Sequence, residues 1–513
     1  MILERQKKTR CQHPARPRRS GPAENELRTT ACIVVTCLAH YTDTQGHSQR
    51  QPERGLHEAR EQSLSRSGNS PGCASSEAHR PYYGYWIGAL PTSRSASVVE
   101  VVDPRSRIHM ALVALNQDRS NQMKIDQVID QISGSWIAEE TLQLVRVPSV
   151  TLHEQQVCQL YEQQLLALGL EVQVREVTPG RNNLYARLSG TGGGPTLMLN
   201  GHLDTIPNQN QQPVYQEGDL LYGRGTTDMK GGMAAILAAV RGLQLANVRL
   251  QGDLLLTAVV GHEEPEAKKD GPLAMIEDLN QGRISCDRIL IVEGPDALWI
   301  MSMGSMVFTI ALESERGGTH TQYVPFGDNP LRFLGETLAR FDTFQQELDQ
   351  GLVHPLAGPE RIDLGIVQAG DYFNRIPQTC KLTGTRRWAP GRQAETVLEE
   401  LRALIDPIAR KGGLRANVSM EHQREPFETP GDDPLVEAVA TAHRQVTATE
   451  AEVVGKRIVG DANLYVHGSG VPTIYYGPSN ETAHADIENV SIQRLQSAAR
   501  VYALAAMEYC GVQ

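Results

Sequence analysis

Four nearly continuous apolar runs end on residues that bind metals or carry protons. Thr196–Asn200 runs into Gly201-His202-Leu203-Asp204-Thr205, and Leu254–Val260 runs into Gly261-His262-Glu263-Glu264. Arg288–Val292 ends at Glu293-Gly294-Pro295, and Pro472–Tyr476 is followed by Gly477-Pro478 and then His484. A run without polar alternation is how a strand reads when a sheet is covered on both faces. Segments of helical spacing, notably Met229–Leu245, lie between these runs. Strand alternating with helix predicts an α/β sandwich. In open sheets of this kind ligands bind beyond the carboxyl ends of the strands, where all these residues would meet.

The middle of the chain has another rhythm. Strand patterns at Ser305–Glu313, Arg361–Gln368, Gln378–Trp388 and Leu414–Glu421 alternate with helical patterns at Asn329–Gln350 and Arg392–Lys411. This β-α-β-β-α-β order predicts a ferredoxin-like domain inserted into the α/β domain. Asn329 with Pro330 after it reads as the cap and first position of its helix. The expected divisions are an arm (1–122), a leading catalytic segment (123–304), the inserted domain (305–421) and a closing catalytic segment (422–513). Two helical patterns open the body, Lys124–Leu144 and His153–Leu168, and two close it, Asp433–Val446 and Ser491–Tyr509.

The arm differs in composition. Residues 1–109 carry 16 Lys+Arg against 10 Asp+Glu; the rest carries 33 against 50. The first stretch has no sustained period and predicts disorder outside the working protein, with Met110 or Met123 as the true start. A net charge of −11 argues against a general nucleic-acid binder. The longest early apolar run, Ala31–Ala39, is too short to span a bilayer. Eight scattered cysteines without a C-x-x-C pair exclude a disulfide scaffold and make the reducing cytoplasm the default.

The strand-end residues suit two metal ions. Imidazoles and carboxylates are ligands that zinc accepts first, with cobalt or manganese as alternatives. Asp228, just ahead of a helix, can bridge two ions with its two oxygens. His202 and Glu293 would complete one ion, Glu264 and His484 the other. Glu263 would point to the other side of the chain and carry the proton from water to the leaving amine. Asp204 could accept the second ring N–H of His202 and fix its tautomer. The glycine-rich stretch around Asp228 lacks the G-x-x-x-x-G-K-[ST] pattern of a phosphate loop.

Taken together, GHLDTIP, GRGTTDMKGG, the Glu263-Glu264 pair, VEGP and Ala483-His484 resemble the family of acetylornithine deacetylase, succinyl-diaminopimelate desuccinylase, aminoacylase and carboxypeptidase G. The resemblance covers about residues 124–513. It implies a zinc-exopeptidase-like α/β/α sandwich whose inserted domain is a lid and a homodimer interface. It also implies two zinc or cobalt ions held by His202, Asp228, Glu264, Glu293 and His484, with Glu263 as general base and Asp204 orienting His202. The family pattern further implies that His320 reaches the partner's site to stabilise the oxyanion, and that Asn374 and Arg387 bind substrate. Adjacent strand residues face opposite sides, so only one of Arg386 and Arg387 can clamp a carboxylate; the family offset selects Arg387. One departure stands out: the residue before the two glutamates is usually Asp, and here it is His262. The expected activity is deacylation of an N-acyl amino acid carrying a carboxylate. The alternative is a metallo-exopeptidase with the same site.

Overall fold

The computed structural model describes residues 119–208 and 213–513. Residues 1–118, nearly all of the predicted arm, lie outside the described residues.

The body opens with α1 (119–131), α2 (Gly134–Arg146) and α3 (Gln155–Ala167). The single helix expected over 124–144 is broken at Ser133, whose hydroxyl accepts from Trp136 N and starts α2. There follow β1 (Glu171–Thr178), β2 (Arg181–Leu188), β3 (Leu197–His202), β4 (Tyr215–Glu217), β5 (Leu220–Tyr222), α4 (Lys230–Leu245), β6 (Leu254–Val259), α5 (Asp270–Asn280), β7 (Arg288–Ile291) and β8 (Leu298–Ser302).

The insertion comprises β9 (Gly304–Glu313), α6 (Leu334–Gln350), a minor hairpin of β10 (Val353–His354) and β11 (Gly358–Pro359), β12 (Arg361–Ala369), β13 (Thr379–Trp388), α7 (Ala394–Gly412) and β14 (Arg415–Arg424). The chain returns through β15 (Phe427–Glu428), α8 (Pro434–Thr447), β16 (Val453–Lys456), α9 (Asp461–Ser469), β17 (Thr473–Tyr475), β18 (Asn489–Ser491) and α10 (Ile492–Cys510).

The large sheet runs β1-β2-β6-β3-β7-β17-β8-β15, with β16 also on β8. Its centre, β6-β3-β7-β17, is parallel throughout. The carboxyl ends of these four strands therefore share one edge. Every residue of β3, β6, β8 and β17 is buried, which is why their sequences read as unbroken apolar runs. Helices α2, α4, α8 and α10 pack on one another, as do α5 and α9, and together they sandwich the sheet. Asp433 caps α8 through Leu435 N, and Ser491 caps α10 through Arg494 N.

Glycine is required where α4 meets the sheet. A Cβ on Gly232 would lie 2.2 Å from the Val292 carbonyl oxygen, and one on Gly231 would lie 2.3 Å from that of Thr226. The glycine pair after Lys230 thus serves close packing, which brings Asp228 to the strand ends.

The inserted sheet is antiparallel with order β12-β13-β9-β14. Met306, Phe308, Ile310 and Leu382 pack with Phe341, Phe344, Leu401 and Ile405 of α6 and α7 in a core separate from the large one. The expected helix start at Asn329 is displaced. Asn329 caps a 3₁₀ turn over Pro330–Phe333, and α6 begins after it.

Candidate metal centre

Each strand end contributes a side chain. His202 is the last residue of β3 and is 1% exposed. Its Nδ1 lies 2.9 Å from the Asp204 carbonyl oxygen. A carbonyl only accepts, so Nδ1 carries a hydrogen and Nε2 is the nitrogen left for a metal ion. Nε2 is 3.2 Å from Asp228 Oδ1. The other oxygen of Asp228 is 3.2 Å from His484 Nε2. One carboxylate thus stands between two imidazoles, using a different oxygen for each.

Asp228 is placed by the loop before α4. Glu488, fully buried beyond His484, accepts the N–H groups of Gly225, Thr227 and Asp228 at 2.9–3.0 Å and the Arg224 guanidinium at 2.6 Å. Sequence reasoning missed Glu488; its position four residues after His484 was the available signal.

The glutamates depart from the expected order. Glu263 Oε2 lies 3.1 Å from His484 Nε2, and His202, Asp228 and Glu263 offer donor atoms within 4.8 Å of one another. Glu264, expected as the ligand, donates its amide to Thr151 Oγ1 and lines the adjacent cavity. The cause is the turn after β6. Asp204 accepts from His262 N at 3.0 Å, Glu263 N at 2.9 Å and the Thr151 hydroxyl at 2.7 Å. The Asp204 carboxylate is thus spent on that turn, and its nearest oxygen is 3.7 Å from His202 Nδ1. The contact between Asp204 and the His202 ring runs through the main-chain oxygen of Asp204.

His262 joins the cluster unannounced. Its ring stacks on His202 at 4.1 Å, its Nδ1 is 2.8 Å from Asp461 Oδ2, and with His202 and Glu293 it forms a second group of donors within 4.8 Å. The departure from the family's Asp was its only sequence signal.

The electrostatics are those of a cation site. Burial would lower the His202 pKa, but the hydrogen bond to Asp228 and the charges of Asp204, Asp228 and Glu263 push it up to about 10. Hydrogen bonds to Asp228 and Glu263 raise His484 to about 10 as well. Burial, then the charge of Asp228, raises Glu293 to about 7. Without an ion, protons on the His202 and His484 imidazoles supply the positive charge that these carboxylates attract. Donor spacings near 3.2 Å match tetrahedral ligands at roughly 2.0–2.2 Å from a shared zinc-like ion. The residues fit divalent metal.

The substrate candidates lie on the inserted domain. His320 and Asn374 are brought together: His320 Nδ1 accepts from Gln322 N, and its Nε2 is 3.1 Å from the Asn374 amide. Both are exposed or nearly so, and no hydrogen bond or ion pair joins them to the donor cluster among the described residues. Arg386 turns into the small core, pairs with Glu360 and Glu400, and lies over Phe344. Arg387 faces the other side, half-buried, with a buried Nη1 that has no hydrogen-bond partner among the described residues.

An α/β/α sheet with histidine and carboxylate donors at the carboxyl ends of parallel strands, under an inserted ferredoxin-like domain, defines a metallohydrolase of the zinc-exopeptidase kind. The comparisons agree. The pattern of peptidase family M20/M25/M40 matches residues 198–508, and the chain belongs to that family. It is a hydrolase of amide bonds. It is 28% identical over 383 residues to succinyl-diaminopimelate desuccinylase of Dinoroseobacter shibae, covering 72% of this chain and 98% of that one. Aminopeptidase PepT from Bacillus cereus shares the fold with a TM-score of 0.64 at 18% identity, over 74% of this chain and 99% of that one. A dinuclear metal-binding peptidase of the same family from Bacillus subtilis has a TM-score of 0.56 at 16% identity, over 73% and 97%.

Proposed function

We propose that the protein removes the acyl group from an N-acyl amino acid, using two divalent ions, zinc first, and acting as a homodimer in the cytoplasm. The observation that carries this reading is the Asp228 carboxylate set between His202 and His484, one oxygen toward each. When bound, the ions would polarise the scissile carbonyl and make a water molecule acidic. His202, Asp228, Glu293 and His484 would hold them, with Glu263 as the fifth ligand, a reading supported by its Oε2 lying 3.1 Å from His484 Nε2. Glu264, on the wall of the adjacent cavity, would take the proton of the water and pass it to the leaving nitrogen.

On the inserted domain, Arg387, whose buried Nη1 has no partner among the described residues, would meet the carboxylate of the amino acid. With its Nδ1 accepting from Gln322 N, His320 presents an Nε2–H donor. The Asn374 amide, 3.1 Å from that nitrogen, can accept from it only through its oxygen; facing the partner's site, the Nε2–H would turn instead to an oxyanion. The four described cysteines are free thiols, in keeping with a reducing compartment. Among the described residues no helix is long and apolar enough to cross a membrane.

The test is a hydrolysis panel of N-acetyl, N-succinyl and N-formyl amino acids and dipeptides, with zinc, cobalt and manganese supplied separately. Preferred cleavage of N-acyl amino acids is expected. Cleavage of dipeptides alone would make the protein an exopeptidase, and no cleavage with any metal would overturn the reading.

A further inference from the structure

Beside the donor cluster lies a cavity of about 450 Å³ whose lining includes Glu263, Glu264, Lys268, Lys269, His422 and Arg424. Four basic side chains meet here on a body that carries 33 Lys+Arg against 50 Asp+Glu. The two lysines are not equivalent. Lys269 is spent on the His262 carbonyl and on Asp461, 3.8 Å away. Lys268 has no acidic partner among the described residues.

The Arg424 guanidinium makes one hydrogen bond, to the Gln423 carbonyl at 2.8 Å, and no ion pair among the described residues. Burial holds its pKa below the usual range, with Asp461 acting against that. A half-buried guanidinium that lines a cavity and has no ion pair among the described residues is an anion receptor in waiting.

The backbone is built to aim it. The register of β14 against β9 shifts between Glu421 and Arg424, a bulge that carries His422 at φ 51°. Bulges beside active sites re-aim side chains. After the shift Arg424 pairs with Ser305, and Ser305 also pairs with Arg387 on its other side. Cross-strand partners share a face, so Arg424 and Arg387 lie on the same face of the small sheet, away from its helices. Two strand spacings separate them, about 9–10 Å at the backbone. Lys268 and Lys269, which also line the cavity, hold φ 53° and 58°, a left-handed conformation that side chains with a Cβ avoid.

We infer that Arg424, assisted by Lys268, is a second carboxylate receptor, and that the substrate is a dicarboxylate. Arg387 takes the carboxylate of the amino acid, and Arg424 takes one at the other reach of the substrate. This rests on the deacylase reading and names its substrate class. The second carboxylate belongs either to the acyl group or to the amino acid's side chain.

The experiment compares matched pairs with the metal-loaded enzyme: N-succinyl-alanine against N-butyryl-alanine, and N-acetyl-glutamate against N-acetyl-glutamine. Wild type should prefer the charged member of one pair, which identifies the source of the carboxylate. Arg424→Met should lower kcat/KM for that member by about 10–100-fold, the loss of one or two charge-assisted bonds, and leave the neutral member within about 3-fold. Arg424→Lys should recover part of the loss. Lys268→Met, on an exposed residue, gives a smaller loss of the same selectivity and decides the matter should Arg424→Met not fold.

Calorimetry with glutarate and butyrate supplies a readout without turnover: glutarate should bind tighter to wild type, and Arg424→Met should erase the difference. Equal losses for charged and neutral members, or no change for either, would overturn the inference. If no amide is cleaved at all, the deacylase reading fails, and the glutarate measurement still decides the receptor.

Discussion

Replacing Glu488 with Gln should damage a centre that Glu488 never enters. Its Oε1 accepts Thr227 N at 2.9 Å and Asp228 N at 3.0 Å. Its Oε2 accepts Gly225 N at 2.9 Å and Arg224 Nη1 at 2.6 Å. An amide offers one oxygen and one NH₂ group. Whichever way it turns, two of those donors face another donor. Each hydrogen bond to a charged group is worth about 1.5–3 kcal/mol, so two lost bonds cost about 3–6 kcal/mol. That matches the roughly 3–5 kcal/mol lost when one member of a buried ion pair is removed.

Since domains are stable by only about 5–15 kcal/mol, the urea midpoint of metal-free Glu488→Gln should fall sharply. The same bonds fix Asp228, so metal affinity should weaken by about 10–100-fold, as for other residues that orient ligands. Urea unfolding with and without metal, and a metal titration, measure both. A variant within about 1 kcal/mol of wild type with unchanged metal affinity would refute the view that Glu488 holds the Asp228 loop in place.

Three further outcomes are expected. Glu263→Gln should lose bound metal, whereas Glu264→Gln should keep both ions and lose turnover by about 10²–10⁴-fold; elemental analysis with saturating-metal assays decides, and the reverse result restores the order implied by the family resemblance. His202 and His484, at about 10 in the metal-free chain against 6.5 when unperturbed, contribute stability that is complete below pH 6.5 and lost as pH rises through 10. Metal-free protein should therefore weaken to urea across that window while metal-loaded protein resists, and identical profiles would count against the cluster as a cation site. His320→Ala should be nearly inactive alone and regain activity after subunit exchange with Asp228→Ala, whereas no recovery despite exchange would remove His320 from the partner's site.

Local sequence determined much of this protein. A fully buried parallel strand has no polar face, so β3, β6, β7 and β17 were legible as apolar runs, and their ends pointed to His202, Glu293 and His484. The inserted domain was legible too, since alternation at period 2 and spacing at 3.6 are properties of neighbouring residues. Asp433 and Ser491 announced their helices for the same reason.

Tertiary structure decided whatever depends on which atom meets which. Glu263 rather than Glu264 enters the cluster because Asp204, nearly sixty residues upstream, ties down the turn that carries both. Asp204 serves His202 through its carbonyl because its carboxylate is spent on that turn. His262 joins by stacking on His202 and pairing with Asp461, and Arg424 faces the cavity because a bulge shifts its register. Period and composition fix a residue's place along its own element. The direction of a side chain beyond a strand's end is set by hydrogen bonds from distant segments, and those exist only once the chain has folded.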